Sequence, residues 1–117
     1  MNKYFNPFEF NPETINNTNQ QNLIKSKIKN SYIIDLKANK DFLIENVNQS
    51  VNIEWKQIYE DEAGFLSTLS QILPDKSADI ITYCYSGRCS EYTKNGLNKL
   101  GYKNVYNGIN SRFIKNI

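Results

Sequence analysis

Residues 80–90 constrain the fold of this chain more than any other stretch. An apolar, β-favouring run, Ile80–Tyr83, leads to Cys84, and a tight loop with one glycine and one arginine follows. A helix-like segment from about Ser90 to Leu100 comes next. This order places a thiol at the carboxyl end of a buried strand, close to backbone N–H groups and the start of a helix. Such surroundings favour a thiolate, and open α/β sheets carry their active sites at this edge.

Strand-like and helix-like segments alternate along most of the chain. β-Favouring runs predict strands at 32–34, 51–53, 80–83 and 103–106. Apolar spacing predicts helices at 18–29, 41–45, 54–73, 90–100 and 112–117. Glycine or asparagine punctuates this pattern: Gly64 is expected to divide the third helix, and Asn107-Gly108 is expected to form a turn. The alternation predicts an α/β fold with a small, mostly parallel sheet covered by helices on both faces.

The first 20 residues differ from the rest in composition. They are rich in asparagine and contain Pro7 and Pro12, which favours extended or turn structure. Phe5, Phe8 and Phe10 alternate, so the segment is expected to be a short edge strand or an arm packed on the core. No long linker or internal repeat follows, and residues 1–117 are therefore expected to form one domain.

Composition excludes several classes of function. The chain has no histidine, so Cys-His and Ser-His nucleophile pairs cannot form within it, and its two cysteines do not make a zinc site. A net charge of +2 with scattered lysines argues against a nucleic-acid partner. No apolar run is long enough to span a membrane, and residues 1–7 lack the apolar core of a signal peptide. We expect a cytoplasmic protein, or a periplasmic one if a signal peptide was removed.

The loop after Cys84 has features of an anion site. Its N–H groups are expected to turn towards the sulfur and form a nest, with Gly87 supplying a backbone conformation or close approach that a side chain would forbid. Ser90 is a candidate N-cap of the following helix. Arg88 is one of only two arginines in a chain that otherwise uses lysine. Its planar set of donors suits an anionic substrate, and the alternative is an ordinary solvated charge.

Cys89 is the second thiol of the same stretch. It could act as a resolving thiol that attacks sulfur bound to Cys84, or form a disulfide with Cys84 under oxidation. We expect instead that its side chain points away from Cys84, because the end of a strand and the start of a helix often set such side chains apart.

Four segments occur in an order that resembles the rhodanese family of single-domain sulfurtransferases, over about residues 32–108. They are Ile34-Asp35-Leu36-Lys37 with Asp41-Phe42, then Val51-Asn52-Ile53, then Cys84 to Ser90 as the loop C-x-x-G-x-x-[ST], and then Gly101-Tyr102-Lys103-Asn104-Val105. Lys37 stands where the family usually has arginine, and Glu45-Asn46-Val47 lacks the family's histidine. The position of Arg88 is closer to the small phage-shock-type rhodaneses.

The resemblance implies a rhodanese-like fold and a persulfide mechanism. Cys84 would take the outer sulfur of thiosulfate or a polysulfide and pass it to cyanide or a thiol. The substrate-binding residues implied are Tyr85, Ser86, Gly87, Arg88, Cys89 and Ser90. Among them, Arg88 would neutralise the anionic donor, Tyr85 would line the pocket mouth, and Ser86 would either bond the persulfide or face water. Asp35 would support the loop by bonding nearby backbone. No metal or organic cofactor is implied, and a sulfur-relay protein is a candidate partner.

Other functions use related features. Rhodanese-like domains can serve as non-catalytic binding or regulatory modules, although the presence of Cys84 argues for activity. A thiol redox switch formed by Cys84 and Cys89 would use the same loop. So would a sulfur carrier that accepts persulfide sulfur from a partner protein. Cysteine-dependent phosphatases and arsenate reductases place an arginine six residues after the cysteine, where this chain has Ser90, so the sequence argues against them.

Overall fold

A four-stranded parallel sheet forms the centre of the protein. The structure is a computed structural model and describes residues 4–6 and 18–117. The strands are β1 (Tyr32–Asp35), β2 (Ser50–Asn52), β3 (Asp79–Cys84) and β4 (Asn104–Asn110), in the spatial order β2-β1-β3-β4. Each neighbouring pair is parallel. Because β1 and β3 are both central and parallel, their carboxyl ends, Asp35 and Cys84, lie at the same edge of the sheet.

Helices cover both faces of this sheet, which confirms the predicted α/β class. They are α1 (Thr18–Lys27, extended by a 3-10 turn at Ile28–Asn30), α2 (Asn39–Ile44), α3 (Trp55–Glu60), α4 (Glu62–Ile72), α5 (Arg88–Lys99) and α6 (Ser111–Lys115). Apolar side chains of α3, α4 and α5 pack on one face of the sheet. Those of α1 and α6 pack on the other.

Strand β3 is the most buried strand because both of its faces carry apolar side chains. Ile80 and Cys84 belong to the core beneath α3, α4 and α5. Ile81 and Tyr83 belong to the core beneath α1 and α6. This burial on both faces is what a central parallel strand requires, and it fixes the position of Cys84 at the end of the strand.

The predicted N-terminal arm is described only at residues 4–6. Phe5 is completely buried, and its ring packs edge-on against Phe65 with 5.2 Å between centroids. The N–H groups of Tyr4 and Phe5 donate to Oε2 of Glu62 at 2.9 and 3.1 Å. Phe5 therefore packs on the core as expected, whereas the predictions for Phe8 and Phe10 lie outside the described residues.

The long helical segment divides at Asp61 and not at the predicted Gly64. Asp61 lies between α3 and α4, and its Oδ1 accepts the N–H of Gly64 at 3.0 Å. The side chain therefore caps α4 and satisfies one of the free N–H groups of its first turn. Gly64 belongs to that turn, where an added Cβ would lie 2.2 Å from Oδ2 of Asp61.

The predicted turn at Asn107-Gly108 is wrong, because β4 continues through both residues to Asn110. The side chain of Asn107 is completely buried and hydrogen-bonded. A Cβ at Gly108 would lie 2.7 Å from Cδ1 of Ile114, so glycine is needed there for close packing of α6. The pairing of β3 with β4 instead shifts register between Thr82 and Cys84.

Candidate active site

Cys84 lies where β3 ends and the chain turns sharply into α5. Its side chain is buried, and its Sγ accepts the N–H of Gly87 at 3.2 Å. Gly87 has φ 90° and immediately precedes α5. A side chain at this positive φ would be strained, so glycine allows the turn that directs an N–H group at the sulfur.

Helix α5 begins at Arg88, two residues earlier than predicted, and Gly87 occupies the N-cap position. The expectation that Ser90 caps this helix is therefore wrong. The Ser90 hydroxyl is buried and has no hydrogen-bond partner of standard geometry among the described residues. It lies beside the Cys84 sulfur, where it helps to lower the pKa of that thiol.

The surroundings of Cys84 lower its pKa to about 5. A hydrogen bond from the Cys89 thiol is the largest cause. Burial opposes it, and the hydroxyl of Ser90 and the N–H groups of Ser90 and Ser86 add to the lowering. The same groups stabilise negative charge on the sulfur, so the thiolate predominates at neutral pH.

The expectation that Cys89 points away from Cys84 is also wrong. The Cys89 thiol lies close enough to the Cys84 sulfur to lower its pKa, and both side chains pack in the same apolar cluster. Both thiols are free. The earlier start of α5 explains the difference, because each residue of a helix turns by about 100°, so the register of the first turn decides where the Cys89 side chain points.

A pocket of about 410 Å³ opens beside Cys84 and Tyr85. Four charged residues line it, namely Lys37, Asp41, Glu45 and Arg112. The predicted anion-binding residue, Arg88, lies on the surface at the start of α5 and is not part of the lining. The structure thus brings Tyr85 and the second arginine of the chain to the pocket.

Three of the four charged lining residues are held by other groups. Lys37 Nζ donates to the carbonyl of Glu45 at 2.7 Å and lies 3.8 Å from Oδ2 of Asp35. Asp41 accepts the hydroxyl of Tyr85, and Glu45 accepts the hydroxyl of Ser111.

Arg112 differs from these three residues. It is exposed, and its side chain forms no hydrogen bond or ion pair with the residues that the structure describes. It interacts with the others only through its charge, which contributes to lowering the pKa of Glu45. Its guanidinium is therefore available to a bound anion.

Two asparagines at the end of β4 hold the loop after Cys84. Asn107 Nδ2 donates to the carbonyl of Gly87 at 2.8 Å and to Oε1 of Glu91 at 3.1 Å. Asn110 Nδ2 donates to the carbonyl of Tyr85 at 3.3 Å, while its Oδ1 accepts the N–H of Phe113 and caps α6. The sequence analysis singled out neither asparagine, because it predicted a turn at Asn107-Gly108. The signal that could have identified Asn107 was an asparagine within an otherwise β-favouring run.

Asp35 supports a different part of the site from the one expected. Its Oδ1 accepts the N–H of Lys37 at 2.8 Å, and its Oδ2 accepts the hydroxyl of Tyr83 at 2.6 Å. Burial and this bond to Asp35 raise the pKa of Tyr83 to about 12. Asp35 therefore orders the segment after β1 that carries Lys37 to the pocket, and within the described chain its carboxylate accepts bonds from Lys37 and Tyr83 and not from residues 85–87.

Positions 4–6 and 18–117 contain no cluster of three or more His, Cys, Asp or Glu side chains able to hold a metal ion. In that part of the chain no helix is both long enough and apolar enough to cross a membrane.

Comparisons with known proteins are consistent with the fold described above. Residues 16–110 match the rhodanese-like domain family. The chain is 30% identical over 74 residues to the thiosulfate sulfurtransferase PspE of Escherichia coli (strain K12). That match covers 63% of this chain but only 64% of the relative, less than two-thirds of its length.

Solved structures share the architecture. A rhodanese from E. coli solved with anions is 28% identical, with a TM-score of 0.58 over 74% of this chain and 91% of that one. A human single-domain sulfurtransferase is 14% identical, with a TM-score of 0.60 over 82% of this chain and 93% of that one. The second likeness concerns the fold alone.

Proposed function

This chain belongs to the rhodanese-like family, and on that premise we propose that it is a sulfurtransferase that carries sulfur as a persulfide on Cys84. One observation carries the proposal: the Cys84 sulfur accepts the N–H of Gly87 at 3.2 Å and borders a 410 Å³ pocket. A thiolate in this position is both nucleophilic and accessible to a small solute.

The proposed first step is attack of the Cys84 thiolate on the outer sulfur of thiosulfate. The sulfur–sulfur bond of the donor breaks, sulfite leaves with the bonding pair, and the outer sulfur stays on Cys84 as a deprotonated persulfide. Backbone N–H groups at the start of α5 support this negative charge, as does the positive end of the helix. A polysulfide would load the same sulfur and release a shorter polysulfide.

The second step transfers that sulfur to a thiophilic acceptor. Cyanide attacks the outer sulfur, thiocyanate leaves, and the Cys84 thiolate is restored. A small thiol would accept the sulfur in the same way and become a persulfide. A sulfur-relay protein is a further proposed acceptor, and the cytoplasmic location stays a prediction.

We assign the anionic end of the donor to Arg112. It lines the Cys84 pocket, whereas Arg88 does not, and the other lining cation, Lys37, already donates to the carbonyl of Glu45. Two oxygens of a sulfonate match the paired donors of a guanidinium. The solved E. coli rhodanese with anions is consistent with an anionic donor, and the role predicted for Arg88 remains the alternative.

The test is production of thiocyanate from thiosulfate and cyanide by the wild-type protein and by Cys84→Ser. Wild type is expected to turn over, and Cys84→Ser is expected to lose all activity while keeping its fold, as judged by circular dichroism. Sulfite release is measured in parallel, because it reports the first step alone. Full activity in Cys84→Ser would refute the mechanism, and inactivity of the wild type with thiosulfate and with polysulfide would refute sulfur transfer.

A further inference from the structure

Cys89 receives no sulfur in the cycle described above, yet its thiol lies beside the sulfur that the cycle uses. We propose that Cys89 is a resolving thiol, which attacks the Cys84 sulfur of the persulfide, expels the outer sulfur as sulfide and leaves a Cys84–Cys89 disulfide. The inference rests on the proposed persulfide and adds an internal route by which the bound sulfur leaves.

The two thiols are arranged for such an attack. Cys84 and Cys89 pack in one apolar cluster as two free thiols, and Cys89 lies close enough to the Cys84 sulfur to lower its pKa. Cys84 lines the pocket from which the donor arrives, whereas Cys89 does not. Cys89 therefore contacts the Cys84 sulfur from another side than the pocket. Displacement at sulfur requires the attacking thiol to lie opposite the leaving sulfur, which this placement favours.

Tyr92 provides a second observation at the same place. Its side chain is 97% buried, and its hydroxyl has no hydrogen-bond partner of standard geometry among the described residues. A buried hydroxyl without a partner calls for an explanation. It lies close enough to Cys89 to lower the pKa of that thiol, and the charge of Arg88 acts in the same direction. Both groups would stabilise the Cys89 thiolate as it forms.

The protonation state of Cys89 determines that loading of Cys84 comes before the attack by Cys89. While Cys84 is a thiolate, its hydrogen bond and its charge, together with burial, raise the pKa of Cys89. Cys89 then stays protonated and cannot compete for the donor. After loading, the negative charge sits on the outer sulfur, so the main cause of that raised pKa is removed. Cys89 becomes reactive only when there is a persulfide to resolve.

The step balances in atoms and electrons. The protonated Cys89 thiol and the deprotonated Cys84 persulfide give the Cys84–Cys89 disulfide and one hydrosulfide ion. The proton of Cys89 goes to the leaving sulfur, which is reduced by one electron, the Cys89 sulfur is oxidised by one electron, and the Cys84 sulfur keeps the oxidation state that it had in the persulfide. A dithiol reductant must then reopen the disulfide. With such a reductant the protein would convert thiosulfate to sulfite and sulfide.

The experiment treats reduced, desalted protein with a stoichiometric amount of thiosulfate in the absence of oxygen and of any thiol. Sulfite and sulfide are quantified, free thiols are alkylated, and the mass and peptide map of the protein are recorded. Wild type is expected to release both sulfite and sulfide, each near one equivalent, and to lose two hydrogens through a disulfide joining the two cysteines. Cys89→Ser is expected to release sulfite, retain one extra sulfur on Cys84 and release at least about tenfold less sulfide.

One control and one further variant complete the experiment. Wild type without thiosulfate must keep both thiols alkylatable, which excludes oxidation by residual oxygen. Tyr92→Phe removes only the hydroxyl beside Cys89, and it is expected to slow sulfide release more than sulfite release.

The outcomes separate this inference from the proposed function. Sulfite release with the extra sulfur remaining on Cys84 and Cys89 alkylated would overturn the resolving role and leave sulfur transfer intact. Extra sulfur mapped to Cys89 would overturn it as well, because Cys89 would then have attacked the outer sulfur. If neither sulfite nor bound sulfur is detected with thiosulfate or polysulfide, the proposed persulfide on Cys84 is refuted, and the resolving role of Cys89 is refuted with it.

Discussion

At the scale of single residues, the reactivity of the site depends on the protonation state of the Cys84 sulfur. Cys84 is buried, and burial alone would raise the pKa of a thiol. The Cys89 thiol, the Ser90 hydroxyl and backbone N–H groups reverse that effect and bring the pKa of Cys84 to about 5. The chain has no histidine, so no imidazole contributes to this activation.

The pH dependence of alkylation should show this directly. The rate at which iodoacetamide modifies Cys84 is expected to be flat above neutral pH and to fall as pH drops through about 5, because the reactive thiolate is then protonated. Peptide mapping assigns the modified cysteine. A rate that instead rises through the ordinary thiol range near pH ~8.5 would show that the thiol is not activated.

Replacing Cys89 tests the largest cause of this activation. In Cys89→Ala the hydrogen bond to Cys84 is lost, so the inflection of the alkylation profile is expected to move to higher pH. Cys89→Ser retains a donor at the same position and should shift it less. Identical profiles for wild type and Cys89→Ala would show that the contact does not tune the sulfur.

The two arginines form a matched pair for testing donor binding. Arg112→Ala is expected to raise KM for thiosulfate by about three- to tenfold, because a charge-assisted contact to the sulfonate is lost. Arg88→Ala should change it by less than about twofold, since Arg88 lies outside the pocket lining. An uncharged organic polysulfide serves as the control donor. The reverse order of effects would assign the donor to Arg88.

At the scale of secondary-structure elements, β4 positions the loop after Cys84. Asn107 bonds the Gly87 carbonyl and the side chain of Glu91, and that buried carboxylate also lies 3.4 Å from Lys94. The buried side chain of Asn107 thus joins β4 to the start of α5. The N–H of Gly87 that faces the sulfur belongs to the same residue whose carbonyl Asn107 holds.

Asn107→Ala should therefore affect both stability and reactivity. The free energy of unfolding is expected to fall by about 1–3 kcal/mol, because the Gly87 carbonyl and Glu91 lose a buried donor. Alkylation of Cys84 should also slow as the loop loosens. Asn104→Ala is the control, since the Asn104 side chain donates to the exposed carbonyl of Ser77, away from the loop after Cys84. Equal urea midpoints for the two variants would contradict the role of Asn107.

The order of elements followed from the sequence, whereas several contacts at the site did not. Alternating segments predicted the parallel sheet, and the run before Cys84 predicted its place at the end of a strand. The orientation of Cys89 depended on where α5 begins, which a glycine at positive φ decides. The approach of Arg112 to Cys84 depended on how β4 delivers α6 to the sheet edge, and local spacing carries no information about that.

At the scale of the whole molecule, the described part of the N-terminal arm, residues 4–6, completes the core. Phe5 is buried against Phe65 and lies directly over Gly96 of α5, where an added Cβ would be 2.2 Å from its ring. The arm thus packs against α4 and also against the helix whose first turn faces Cys84.

Phe5→Ala is expected to lower the free energy of unfolding by about 3–5 kcal/mol, because it leaves a cavity between α4 and α5. Leu23→Ala, at a residue 44% exposed on α1, should cost about 0.5 kcal/mol or less. Chemical denaturation of both variants gives the comparison. A Phe5→Ala protein as stable as Leu23→Ala would mean that the arm is not part of the folded core.

Asn110 lies where a strand ends, a helix begins and the loop after Cys84 passes. Because its side chain bonds both the loop and α6, these two walls of the pocket cannot separate without breaking its bonds. The entropy of ordering the pocket is then lost when the chain folds and not when a donor arrives. Preorganisation of this kind lowers the entropic cost of binding for a donor that fits the existing pocket.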